Sequence, residues 1–145
     1  MSVLEQVQAD VRTAMKAGER EKAGALRLIV DSLQKDAKLG KGDEVAVLQR
    51  ERKKRLEAAE AYGDAGRSEQ AAAERFEGEL IEAYLPQQLS EEELAELVDA
   101  ALAETGATEP QQMGQVMAAL MPKLGGRADG KRVSGAVQAK LGLGA

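Results

Sequence analysis

The chain has 145 residues and a mass of 15.4 kDa, room for one ordinary domain or two small helical ones, and it contains no Cys and no His. Disulfides, Cys/His zinc sites, thiolate nucleophiles and imidazole general bases are thereby excluded, and with only Tyr62, Phe76 and Tyr84 as aromatics so is a base-stacking sheet. A formal charge of −5 argues against a general DNA-coating role, and 26 Ala against fifteen Val, Ile and Thr point to helices rather than a sheet.

The first helix opens at Ser2, which with Glu5 spells a capping box, and carries Leu4, Val7, Val11, Ala14 and Met15 inward as far as Gly18. A second spans about residues 19–39, with Leu26, Ile29, Val30, Leu33 and Ala37 along one stripe. Gly24 inside it costs about 1 kcal/mol relative to Ala unless close packing needs it. Gly40-Lys41-Gly42 breaks the pattern. Asp43 caps a third helix that turns Val45, Leu48, Ala59 and Tyr62 inward and stops at residues 63–66. Ser68 caps a fourth with Ala72, Phe76, Leu80, Ala83 and Tyr84 as its buried stripe, so the three aromatics form a packing cluster near this turn.

Pro86 cannot continue a helix and pushes Leu85 towards extended geometry, so the chain divides into residues 1–85 and 86–145. Ser90 with Glu93 makes a second capping box, followed by Leu94, Leu97, Val98, Ala101 and Leu102 on a fifth helix ending near Gly106. Thr108 caps a sixth, with Pro110 in its first turn, an inward stripe of Met113, Val116, Met117, Leu120 and Met121, and Pro122 at its end. Gly125-Gly126 releases the chain, and Asp129 caps a seventh helix through Val133, Val137 and Leu141. The expected fold is all-α: a four-helix bundle-like unit, a hinge, and a three-helix unit.

Charge is unevenly placed. Residues 1–85 hold fifteen bases and seventeen acids; residues 86–145 hold five and eight. Glu91, Glu92, Glu93, Glu96, Asp99, Glu104 and Glu109 come first in the second half, and Lys123, Arg127, Lys131, Arg132 and Lys140 follow, a directional field that the total conceals. The run from Arg50 to Arg55 spreads around its helix at about 100° per residue, which suits a solvated face better than one ligand. Glu51 and Arg55 there form a favourable i,i+4 pair.

Residues 125–132, Gly-Gly-Arg-Ala-Asp-Gly-Lys-Arg, nearly spell a P-loop, but Arg132 stands where Ser or Thr would hold magnesium and a helix precedes the turn instead of a strand. Nucleotide hydrolysis is not expected. Two readings of this turn compete: a glycine-rich inter-helix loop kept soluble by bases, or backbone N–H groups and cations gathered for an anion. Asp129 reads as a cap and not as a catalytic acid, and Met113, Met117 and Met121 as core before groove. No acid–base pair, nucleophile or metal cluster emerges, and no cofactor is expected. With no basic leader before an apolar run and no stretch of about 18 apolar residues, the expectation is a soluble cytoplasmic protein without a membrane partner.

The stretch from Met113 to Leu124 followed by Gly126-Arg127-Ala128-Asp129-Gly130-Lys131, together with Ala83-Tyr84-Leu85-Pro86-Gln87-Gln88-Leu89-Ser90 and the opening Ser2-Val3-Leu4-Glu5, resembles the YqeY family. It is similar also to the tail domain of GatB, the B subunit of the tRNA-dependent amidotransferase. The likeness covers essentially the whole chain, and its K-x-x-G-x-A-D-G-K segment is the specific part. It implies an all-helical fold of two subdomains, the second a GatB/YqeY-type tail unit. Arg52 departs from the pattern by standing in an apolar register of the third helix, and the Gly40–Asp43 connection is shorter than relatives carry. In the amidotransferase the tail contacts the tRNA body while a separate domain handles ATP and amide transfer, so the family association is carbon–nitrogen ligase activity with glutamine as amido-N-donor. Only the tail-like part is present here, so autonomous amidation is not expected. The resemblance implies instead an accessory module that binds tRNA by backbone and shape, with Lys123, Gly126, Arg127, Gly130, Lys131 and Arg132 as RNA-binding residues. The alternative is a protein–protein adaptor that docks a basic partner through the acidic helix 91–104.

Overall fold

The computed structural model describes residues 1–40 and 42–142, so Lys41 in the Gly40–Asp43 connection lies outside the described residues. These residues form seven α-helices and a single 3-10 turn, with no strand among them: α1 (Val3–Lys16), α2 (Arg20–Lys38), α3 (Glu44–Asp64), α4 (Ser68–Glu82), α5 (Glu91–Thr105), the turn Pro110–Gln112, α6 (Met113–Leu124) and α7 (Gly130–Lys140). The fold is all-α, as its Ala-rich composition requires. The chain divides into two compact units, Met1–Leu85 and Pro86–Ala145.

In the first unit Val7 and Val11 of α1, Leu26, Ile29 and Leu33 of α2, Val47 and Leu48 of α3 and Ile81 of α4 share one core. Asp43 caps α3 as expected, its Oδ1 accepting from Ala46 N at 3.0 Å. The start of α1 departs from its expected box. Ser2 Oγ accepts from Glu5 N at 3.1 Å, but the amino end is completed from 40 residues away: Glu44 takes Val3 N on Oε1 (3.1 Å) and Leu4 N on Oε2 (2.8 Å). A carboxylate at a helix amino end satisfies orphan N–H groups with charge-assisted bonds and complements the positive end of the helix.

The buried stripes shift in register. Met15 is 54% exposed, because steps of four residues drift by about 40° and carry it off the Val7–Val11 face. On α2, Ala37 is exposed and Asp36 is buried in its place, because steps of seven and three residues from Ile29 and Leu33 keep residue 36 on the buried stripe. On α3 the buried positions are Val47, Leu48, Glu51 and Ala59, while Val45 and Tyr62 are only half-buried. The largest correction concerns α4. Arg67, not Ser68, occupies its cap position, and Ala71, Gly78 and Ile81 are buried while Ala72 and Ala83 are exposed and Phe76 is 37% exposed. Small residues line the α3–α4 seam: a Cβ on Gly78 would stand 3.4 Å from Leu56 Cδ2. Close helix approach selects Gly and Ala for that seam and turns the larger Phe76 out of it. The expected aromatic cluster does not form as one group, since Tyr84 donates its hydroxyl to Asp10 Oδ2 on α1. Burial, then the hydrogen bond and the charge of Asp10, push the Tyr84 phenol well above its ordinary value.

Arg52, Lys53, Lys54 and Arg55 of the basic run on α3 pair with carboxylates of their own unit, while Arg50 is exposed. Arg55 meets Glu51 at 3.5 Å, the expected i,i+4 pair, and Glu77 of α4 at 2.8 Å; Arg52 reaches Glu82 of α4 at 3.5 Å, which gives it a polar place in the seam. Buried Glu51 also accepts from Ser32 Oγ of α2 at 3.0 Å. Gly24 needs no close packing, since no atom lies within 4 Å of a Cβ built there. Gly24→Ala is therefore expected to raise stability by about 0.5–1 kcal/mol, seen as a higher urea midpoint at unchanged slope. An unchanged or lower midpoint contradicts that reading.

The second unit packs Leu94, Val98 and Ala101 of α5, Val116, Leu120 and Leu124 of α6, and Val133 and Val137 of α7 with Leu89, Ala107, Ala128 and Leu141. Ser90 and Glu93 form the complete capping box, and those bonds hold the Glu93 carboxyl below its ordinary range. Gly106, in the left-handed region at φ +69°, ends α5 as expected. Thr108 does not cap α6. The 3-10 turn intervenes, and Gln112 Oε1 reaches back to accept from Thr108 N (2.8 Å) and Glu109 N (3.0 Å). Met113 and Met117 flank the core instead of filling it, Met113 as the first residue of α6 and Met117 about 60° off the Val116–Leu120–Leu124 line, and Met121 is exposed. Pro122 lies inside the last turn of α6, which runs on to Leu124.

Candidate functional site

Every residue of the K-x-x-G-x-A-D-G-K segment now has a physical place. Gly125 and Gly126 adopt φ of +56° and +82°, the left-handed conformation that ends α6 and that side chains rarely tolerate. Ala128 is 1% exposed, a small side chain sealed into the core. Asp129 caps α7, its Oδ1 accepting from Arg132 N at 2.8 Å. Gly130 opens α7 with no atom within 4 Å of a Cβ built there, so no packing demands a glycine at that point.

The cations divide by what they touch. Arg127 folds back on the end of α6, donating from Nε to Leu124 O (2.9 Å) and from Nη2 to Lys123 O (3.1 Å), which satisfies carbonyls that a helix end leaves open. Arg132 donates from Nη2 to Leu89 O at 2.7 Å and lies 3.7 Å from Glu91 Oε1. Lys123 Nζ meets Glu104 Oε2 at 2.6 Å on the surface, and Lys140 Nζ meets Asp99 Oδ1 at 3.2 Å. Lys131 differs: its side chain is exposed on the first turn of α7 and makes no ion pair among the described residues.

Sequence reasoning missed what the turn holds. Leu89 N donates to Arg127 O at 2.8 Å while Leu89 O accepts from Arg132, and Gln88 Nε2 donates to Gly126 O at 3.1 Å. The segment after Pro86 is thus bonded on both sides by the glycine turn and buries Leu89 against α5 and α6. Only the apolar Leu89 just before Ser90 hinted at it, and nothing local revealed the partner some forty residues on. The acidic helix is partly neutralised in the same way, since Glu104, Asp99 and Glu91 each face a base from α6 or α7 while Glu92 and Glu96 stay exposed. No group of three or more acidic or other metal-ligating side chains among the described residues could hold a metal ion. No helix among them is long and apolar enough to cross a membrane.

Compared with known proteins, the chain matches the family model described as Yqey-like protein over residues 4–141, a span that includes both units and the whole glycine turn. No curated protein matches it.

Proposed function

The chain belongs to the YqeY family, and on that premise we propose that it is an accessory tRNA-binding module whose carboxyl-terminal unit grips RNA by phosphate and shape, as the likeness to the amidotransferase tail implies. The observation that carries the reading is Lys131, an exposed cation beside the glycine turn and at the positive end of α7, with no ion pair of its own among the described residues. Lys123 joins it at small cost, because its pair with Glu104 is solvent-exposed on both sides and such pairs contribute about 0–1 kcal/mol. Arg127 and Arg132 keep the turn in shape, and Gly126 and Gly130 leave room for a sugar–phosphate backbone to approach. Five bases against eight acids make the unit net negative, so binding is weak and falls steeply with salt. The carbon–nitrogen ligase chemistry of the family association belongs, on this reading, to a partner that carries the amide-transfer site.

Titrating folded tRNA against the wild type and Lys131→Ala over a salt series tests this. The expected result is weaker binding by the variant and a log–log salt slope reduced by about 0.7–0.9, the share of one phosphate contact. Equal affinity for the two proteins, or no binding at low salt, rejects the proposal. Recovery from a lysate of a basic protein that survives nuclease treatment points instead to docking on the acidic helix 91–104, through Glu92 and Glu96.

A further inference from the structure

The amino-terminal unit carries a cationic cleft of its own. Met15, Gly18, Arg20, Ala23 and Arg27 line a space of about 440 Å³ at the connection between α1 and α2. Among the described residues that line it, the charged groups are two guanidiniums, of which Arg20 also borders a second space that Glu21, Glu69 and Glu77 line. Arg20, Ala23 and Arg27 share one face of α2, since steps of three and seven residues return to nearly the same direction, and the two arginines stand about 10 Å apart along the axis. Their long side chains can converge on one polyanion or bracket two neighbouring phosphates.

What they touch is informative. Arg27 Nη2 rests on Met15 Sδ at 3.0 Å, and neither Arg20 nor Arg27 makes an ion pair among the described residues. A thioether is a weak acceptor for a charged, five-donor group. The lack of an ion pair does not by itself set Arg20 and Arg27 apart, since Arg12, Arg50, Arg67 and Arg75 make none among the described residues either; the shared cleft and helix face do. A guanidinium laid on sulfur, with a second one on the same helix face and no acid lining the cleft, is a donor set suited to an anion.

We propose that this cleft binds a phosphate-bearing anion, with Arg20 and Arg27 as forked donors to its oxygens and Met15 in contact with the apolar part of the group that carries the phosphate. Guanidinium suits the task because its planar fork meets phosphate oxygens in pairs. The site goes beyond the reading of the glycine turn and does not depend on Lys131. Its phosphate comes either from a small phosphorylated compound or from an RNA backbone.

The test is a titration of the full-length ¹⁵N-labelled protein with inorganic pyrophosphate, read from the Gly18 amide and the Arg27 Nε–H signals. A saturable shift of both is expected. The Arg20→Gln/Arg27→Gln double variant should bind at least about tenfold more weakly, the loss of one charge-assisted hydrogen bond or more. Arg20→Lys/Arg27→Lys, which keeps the charge but not the fork, should fall between, and Lys131→Ala should bind like the wild type. All three variants change exposed side chains, and the same spectra report their folding. No saturable shift, the same midpoint in the glutamine variant, or shifts spread over every cation without a midpoint (an adventitious ion only) overturns the proposal. Folded tRNA added to the loaded protein then assigns the source. Displacement of pyrophosphate at Gly18 identifies the RNA backbone, and retention identifies a small phosphate compound.

Discussion

Leu89→Ala is expected to cost about 2–5 kcal/mol of stability, the usual range for truncating a buried leucine. The residue belongs to no helix, yet it is 6% exposed and sits in the core with Leu94, Val98, Leu124 and Ala128. Its backbone is bonded through both N–H and carbonyl to the glycine turn, so the segment has little freedom to collapse into the space left by the missing side chain. A cavity that cannot close puts the loss towards the upper end of the range. Urea denaturation checks this: a lower midpoint at unchanged slope is expected, whereas Leu39→Ala, at a position 65% exposed, should stay within about 0.5 kcal/mol of the wild type. Equal effects at the two positions would mean that the 86–90 segment contributes nothing to the core.

Arg132→Ala carries the second large effect, about 1.5–3 kcal/mol, the value of a hydrogen bond made by a charged donor. Removing the guanidinium leaves Leu89 O without its donor and releases Glu91 from its nearest cation. Arg132→Lys should recover part of the loss, since one ammonium can reach Leu89 O or Glu91 but does not reproduce the planar fork. The comparison with Lys131→Ala is the informative one. Arg132→Ala should lower the denaturation midpoint and leave the RNA affinity of the folded protein nearly unchanged. Lys131→Ala should do the reverse. Should both lose affinity alike, Arg132 touches RNA directly as well as holding Leu89.

The helices were legible because their punctuation is local. Ser90, Asp43, Asp129, Gly106 and the Gly125–Gly126 pair act through bonds or backbone angles within a few residues, so spacing alone places them. Register inside α4 was not legible. A stripe through Phe76 obeys the helical period as well as one through Ala71, Gly78 and Ile81, and only the close approach of α3 decides between them. The glycine turn was half legible. Its composition matches an anion site and its likeness to a family is specific, but the same arginines serve to bond Leu89 and the end of α6, partners chosen by tertiary packing. Arginine is a good donor to carbonyl and phosphate alike, so residue type could not separate a structural from a functional duty. Lys131 stands out only once the other cations are accounted for.

The bonds from Glu44 to the start of α1 and from Tyr84 to Asp10 bear on how the chain comes into being. On a ribosome the first helix emerges with its leading amides facing water alone, and the acceptor that completes them follows only when α3 begins. The phenol that reaches Asp10 arrives some forty residues later still. Synthesis of the amino-terminal half therefore yields a provisional helical pair first, and its last fastening comes with the final residues before Pro86.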